Sequence, residues 1–451
     1  MSPKKILVLT SLVLVLFAFI FLFERKMPTT SEAAQKQDLV WDLPEDQVES
    51  LHLEHPGAAP VELKRTAPSV WRLTRPESYP ADAAAVGGIV SQLAKLRRSG
   101  GESPEARPED YGLTTPSAKA TIGWKDSATP NHHFTRTIEF GVDIPGTEAA
   151  AARISGSAPV IFVPASVAAA ARKGPDDFKT RDVFGGGAAD VLRVDIERGR
   201  GKVSLARKNG LWWLSQPLVD LADADFSQRF VDELTGLKIL GFLPAADRPD
   251  LAAYGLSPAL YRVTLSDAKT PIAVDFGATR SDGNTVYARR ETQVFTVPST
   301  VVEDLSREAV AFRELRLVRF DRASLTGAEG TFGGERFVLQ RKDGGWTANG
   351  ANVPATSADD LMTAVLDLRG KTFLDESAAQ ALKARTPAGT ITLKLSPTET
   401  WTVDLYPIRG EVQALVSGRP GAFQLGSDAI DRVRDAFRRI IAAPTPAPAK
   451  K

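Results

Sequence analysis

Four histidines, one serine–lysine pair and two recurring aspartates are the residues of this chain whose types could do chemistry, so their spacing is the first test. His52-x-x-His55 lies in an alternating apolar segment, where a strand would send the two rings to opposite faces, the wrong geometry for sharing a metal. His132-His133 follows Pro130-Asn131 and reads as a hairpin loop. No histidine follows His133, which leaves the rest of the chain without an imidazole general base. Ser266-x-x-Lys269 satisfies the nucleophile spacing of penicillin-recognising enzymes, but it sits between two strands instead of opening a helix, and no Lys-Thr-Gly follows. Gly199-Arg200-Gly201-Lys202 lacks the leading glycine and the Ser or Thr of a phosphate loop. Asp82 and Asp223 each stand where a helix N-cap belongs. The expectation is a chain that is not an enzyme and holds no metal or cofactor.

Aromatic residues offer a second kind of chemistry, stacking on a ligand. Trp71, Trp212 and Trp346 each lie in an apolar strand-like segment and read as core anchors, because a large ring there contributes most of its strand's burial. Trp213, directly after Trp212, must face the other way in a strand and is the stronger candidate for a contact. Tyr111 and Tyr254 are the other two candidate contact residues.

These residues recur on a frame. Trp71-Arg72-Leu73-Thr74-Arg75-Pro76 aligns without a gap on Trp212-Trp213-Leu214-Ser215-Gln216-Pro217, an offset of 141 residues that also carries Asp82 onto Asp223, Ile89 onto Phe230 and Leu93 onto Leu234. A weaker third copy begins near Trp346. Each copy opens with alternating apolar residues punctuated by turn residues, such as Asn209-Gly210, which predicts antiparallel hairpins. A helix then starts at Asp82 and Asp223, and at Ser357-x-x-Asp360 in the third copy, which resembles a capping box. Tyr111-Gly112-Leu113 matches Tyr254-Gly255-Leu256, with no third copy, and further strands end in helices for which Ser166, Ser299 and Ser427 are the expected caps. Units of this size predict α+β domains in tandem, not the short stacked units of a solenoid. The expected order is a tail at 1–5, a membrane anchor at 6–23, a linker at 24–46 and repeat domains at 47–184, 190–320 and 322–441 (the last divergent). A disordered Ala/Pro tail, 442–451, closes it.

At 451 residues the chain is too long for one core, and 43% apolar with 25% charged residues is an ordinary globular composition. Lys plus Arg (56) nearly equal Asp plus Glu (55), without the basic excess of a nucleic-acid-binding protein. The absence of cysteine excludes disulfides, Cys-ligated metals and a thiol nucleophile. The run from Ile6 to Phe23, including Leu7, Leu14 and Phe17, is interrupted only by Thr10 and Ser11. As a helix it would span about 27 Å, close to the hydrocarbon thickness of a bilayer. It predicts an uncleaved anchor, with the bulk of the chain outside a bacterial cytoplasmic membrane, in the periplasm. The rival is a cleaved signal peptide, whose apolar core is ordinarily shorter. The last helix carries an apolar stripe, Ile430, Val433, Phe437, Ile440 and Ile441, beside Arg432, Arg434, Arg438 and Arg439, so it could pack on its own domain or lie on a membrane.

Together, the apolar amino-terminal segment, the Trp-x-Leu-x-x-Pro stretches, the Ala81-Asp82 and Ala222-Asp223 helix starts and the two Tyr-Gly-Leu tripeptides resemble the bacterial family called domain of unknown function 4340, over about residues 47–320. The third repeat departs from the pattern, lacking both the proline after its tryptophan and the Tyr-Gly-Leu. The resemblance implies an accessory component associated with ABC-type export systems of the gliding-motility type, with a transporter permease or another envelope protein as partner. It carries over no catalytic residues. The first functional expectation is a membrane-anchored accessory or scaffold protein. The alternative is a module binding peptidoglycan or polysaccharide, and an envelope hydrolase would need a site assembled from Asp, Glu and Ser.

Overall fold

The computed structural model describes residues 38–442, except 101–105, 127–128, 200, 245–249, 269 and 397–398. The expected anchor at 6–23 and most of the Ala/Pro tail lie outside the described residues. Among the described residues no helix is long and apolar enough to cross a membrane.

The first repeat is an eight-stranded antiparallel sheet of β1 (Val48–Glu54), β2 (Val61–Ala67), β3 (Val70–Arg75), β4 (Tyr79–Pro80), β5 (Ala118–Asp126), β6 (Thr129–Asp143), β7 (Ala149–Ile154) and β8 (Ile161–Pro164), in the order β4-β3-β2-β1-β5-β6-β7-β8. Two meanders thus meet at the β1–β5 pair. Helix α1 (Ala83–Ala94) connects them and α2 (Ala165–Ala171) follows the last strand. Apolar residues of α1 and α2 cover one face, where Val86, Ile89 and Leu93 join Leu51, Leu63, Leu73 and Phe140 in a single core. Burying each such side chain contributes about 1.5–3 kcal/mol.

The second repeat has the same plan in nine strands: β9 (Arg193–Arg198), β10 (Gly201–Lys208), β11 (Leu211–Gln216), β12 (Asp220–Leu221), β13 (Gly241–Phe242), β14 (Tyr261–Ser266), β15 (Ile272–Thr279), β16 (Thr285–Arg290) and β17 (Gln293–Pro298). Its helices are α3 (Ala224–Gly236) and α4 (Val301–Leu305). The third repeat follows with β18 (Gly327–Phe332), β19 (Glu335–Lys342), β20 (Gly345–Ala348), β21 (Ala351–Val353), β22 (Thr372–Leu374), β23 (Gly389–Lys394), β24 (Thr400–Ile408), β25 (Glu411–Val416) and β26 (Ala422–Leu425). Its helices are α5 (Ala355–Leu366), α6 (Glu376–Lys383) and α7 (Ala429–Ala442). Both nine-stranded sheets add an edge strand from the segment after the helix: β13 beside β17, and β22 beside β26. The fold is therefore α+β, three antiparallel sheets in tandem.

Isolated bridges repeat as well: Leu39 to Arg97, Asp182 to Lys238 and Arg316 to Arg369. Asp182 and Val183 already pair with Lys238 and Leu237 of the second repeat, so Gly185-Gly186-Gly187 lies inside that repeat. The chain forms two compact units, one ending at Arg181 and one from Asp182 onward, the latter holding the second and third repeats.

Asp82 accepts from the amides of Ala84 and Ala85, and Asp223 from that of Phe226, as the N-cap reading requires. The third helix start differs from expectation. Pro354 takes the cap position, α5 begins at Ala355, and Ser357 lies inside the first turn. Proline is tolerated there because the first helical amides have no partner to lose. Ser166 likewise lies inside α2, and the Ser299 hydroxyl donates to the Gly283 carbonyl instead of capping. His132 and His133 are not in a loop: β6 runs through them, paired with β5. In α7, Val433, Phe437 and Ile440 are buried in the third core, while Arg432, Arg434 and Arg438 pair with Asp428, Asp431 and Glu335. Its apolar face is thus occupied.

Candidate functional site

The alternation of β11 decides where its two indoles go. Trp212 is 2% exposed in the second core, equivalent to Trp71 at 4%. Trp213 points off the other face, is half-buried, and packs against the core of the third repeat. There it lines a cleft of about 400 Å³, with Lys208, Asn209 and Leu211 from its own hairpin and Arg319, Glu399, Trp401 and Ser417 from the other side. Asn209 takes φ +50° to turn the hairpin, which carries it to the rim. Trp401, the second residue of β24, is 8% exposed, and Arg319 is held by the Glu314 carboxylate at 3.1 Å. Lys208 and Glu399 form no ion pair among the described residues. The cleft thus combines indole surface with amide, carboxylate, hydroxyl and cationic groups, in the size range of small-ligand pockets.

The second and third repeats are also joined by a buried ionic cluster. Asp220 and the side chain of Arg419 are both 0% exposed. Arg419 Nε donates to Asp220 Oδ1 at 2.6 Å and Arg313 Nε to Asp220 Oδ2 at 2.5 Å. The remaining guanidinium donors reach the carbonyls of Glu314, Arg316 and Pro420 at 2.5–2.6 Å. Arg313 lies 3.9 Å over the Phe373 ring and Arg419 4.6 Å over Phe423. Burial lowers the pKa of Arg419, and Asp220 opposes that shift. Sequence reading missed this cluster, although the 141-residue offset carries a signal: Asp220 falls on Tyr79, a charge where the first repeat buries a ring.

The other charged candidates serve the sheets. Glu139 on β6 sits between Lys119 and Arg153, and Asp275 on β15 between Arg262 and Arg289, the same position in two repeats. Burial alone would raise both carboxyls, but hydrogen bonds and charge from the flanking cations hold both below their ordinary values. Asp404 in the third repeat accepts a hydrogen bond from Thr390, 2.7 Å, with no ion pair among the described residues.

Tyr111 ends a 3-10 turn, half-buried, with its ring edge-on to Phe162 at 5.6 Å. Tyr254 lies 4.3 Å from the Tyr287 ring, also half-buried. Each packs within its own repeat. His52 meets Glu54 at 2.8 Å and His133 approaches Glu49 at 3.7 Å. Among the described residues no group of three or more His, Cys, Asp or Glu could hold a metal ion. Lys269 lies outside the described residues, so the Ser266 to Lys269 spacing has no geometry to weigh.

The profile of the family described as Domain of unknown function (DUF4340) matches residues 71–259 and 244–387. The chain belongs to that family. The DUF4340 matches begin at Trp71 and extend into the third repeat, further than the resemblance read from motifs alone. No curated protein matches the chain. Among solved structures, it is similar to a DNA polymerase sliding clamp from Pseudomonas aeruginosa, at 8% identity and TM-score 0.16, over 87% of this chain and 95% of that one. A putative DNA polymerase III beta subunit from Eubacterium rectale follows at 7% identity and TM-score 0.14, over 88% and 92%. Likeness at that level carries no argument about this DUF4340 protein.

Proposed function

We propose that this DUF4340 chain is a non-enzymatic, membrane-anchored accessory protein of a bacterial envelope. Residues 6–23 would hold it in the cytoplasmic membrane, with the repeats on the periplasmic side, displayed to a membrane partner such as the permease of an ABC-type exporter. The observation that carries this reading is the Asp220–Arg313–Arg419 cluster, which spends two buried guanidinium groups on fixing two repeats against each other. Rigid display is what a scaffold needs, and a buried ion pair contributes geometry more dependably than net stability. The commitment of Glu139 and Asp275 to cross-strand cations supports it too, since these central acids brace sheets.

The test is isolation of the full chain from native membranes under gentle solubilisation, with chemical cross-linking before lysis. A single membrane protein recovered at fixed stoichiometry is the expected result. Repeated recovery of the chain with no membrane partner would overturn the proposal. A phosphatase fused after the linker, at residue 46, should be active in the periplasm, and an inactive fusion would sink the topology.

A further inference from the structure

We infer that the cleft between the second and third repeats is a binding site for a neutral pyranose segment of a glycan. The inference goes beyond the accessory role and stands independently of any membrane partner. Two features select this occupant. The first is indole surface: half-buried Trp213 on one wall, with the small part of Trp401 left exposed (8%) on the other. Pyranose rings expose C–H faces that pack on aromatic rings, and a tryptophan offers the largest such surface. The second is the polar complement: Asn209 supplies an amide, Ser417 a hydroxyl, Glu399 a carboxylate and Lys208 an ammonium. That mixture of donors and acceptors suits hydroxyl groups, which do both.

Other ligand classes fit less well. A phosphate or acidic sugar would call for converging unpaired cations, but Arg319 is already bound to Glu314, which leaves Lys208 alone on a lining that also carries the Glu399 carboxylate. An acyl chain would call for an apolar tunnel, and a polar group stands on each side here. A volume of about 400 Å³ admits a short saccharide segment and not a folded partner. The position of Trp213 is informative as well. Its counterpart in the first repeat is Arg72, which bonds Ser78, and in the third Thr347. The exposed-side indole therefore occurs only in the repeat whose neighbour supplies the opposite wall.

The experiment uses the full chain in lipid nanodiscs, free of glycosidic detergent. Tryptophan fluorescence is titrated with cellotetraose, with the tetramer of N-acetylglucosamine and with tetragalacturonate. Saturable quenching by at least one neutral tetramer, with a Kd of about 1 mM or tighter, is expected. Trp213→Leu and Glu399→Gln should each weaken it at least about tenfold. Because Trp213→Leu could loosen the contact between repeats, Asn209→Ala on the exposed hairpin serves as the second variant and should also weaken binding. No saturation by either neutral tetramer, binding only of the acidic one, or binding indifferent to both Glu399→Gln and Asn209→Ala would overturn the inference.

Discussion

Glu233 on α3 shows how a single carboxyl can carry an unfavourable charge in this protein. Burial raises its pKa first, and the charge of Asp304 and the hydrogen bond with it raise it further; Arg229 lowers it less, and Glu303 adds the smallest rise. The sign then follows from linkage. A carboxyl whose folded pKa lies above its unfolded value contributes stability below the ordinary glutamate range, and loses that contribution as pH rises through the folded value. At neutral pH an ionised Glu233 is a net cost. Glu233→Gln is expected to stabilise by about 0.5 kcal/mol at pH 7, discounted for solvent screening, which is a rise of about 1–2 °C in Tm. The gain should vanish near pH 4. Thermal unfolding at both pH values checks this, and an equal shift at both would show that charge is not the cause. Asp275 has the opposite sign: held low by Arg262 and Arg289, it supports the fold above the usual aspartate range and fails it as acid is added.

At the scale of elements, the Tyr-Gly-Leu turns explain glycines more than twenty residues away. A Cβ on Gly141 would stand 2.0 Å from the Tyr111 carbonyl oxygen, and one on Gly277 2.1 Å from that of Tyr254. The third repeat lacks the tripeptide, and the equivalent position on β24 is Tyr406, buried against Ala379 and Leu382. Those two residues lie on α6, a helix in the segment where the other repeats carry the turn. Loss of the turn and gain of a large side chain are one exchange. Gly277→Ala is expected to cost about 2–3 kcal/mol by overpacking, read from the urea midpoint, and a cost below about 0.5 kcal/mol would refute the close approach. A second device recurs in all three repeats: Arg65, Arg207 and Arg341 lie over Trp71, Trp212 and Trp346 at 4.9, 5.3 and 5.9 Å. Each also donates to a carbonyl of the turn before its first strand, at Asp46, Ala189 and Ala323. The first hairpin is one residue longer, and a register shift between Arg65 and Ala67 absorbs it. Hairpins, Asp caps and the core tryptophans Trp71 and Trp212 were legible because their causes are local, whereas Trp346 is only half-buried against its core. The Gly277 constraint, the Pro354 start and the Trp213–Trp401 cleft were not, since each depends on which distant segment packs alongside.

At the scale of the molecule, the second and third repeats behave as one body through a few buried charges. Only a short stretch joins them: Glu314 donates its amide to Leu221 of the second repeat, and Leu317 to Leu368 of the third. Arg419 reaches back from the third repeat to Asp220 of the second, which Arg313 also holds, so the Arg419 charge is neutralised across the junction. The first repeat solves the matching position internally, with Tyr79 in place of Asp220 and Lys179, paired to Glu77 and Asp176, in place of Arg313. Removing one member of a buried cluster strands the other in low dielectric, at about 3–5 kcal/mol. Asp220→Ala is therefore expected to destabilise residues 182–442 by that amount and to uncouple the two repeats, so that hydrogen exchange at the Glu314 and Leu317 amides accelerates well ahead of strand amides in either sheet. Asp220→Leu combined with Arg419→Met removes both charges and should recover much of the lost stability, because two apolar side chains leave no charge unpaired. If Asp220→Ala costs less than about 1 kcal/mol and the linker amides exchange no faster, the repeats are held by apolar packing around Trp213, and the ionic cluster is a consequence of their contact.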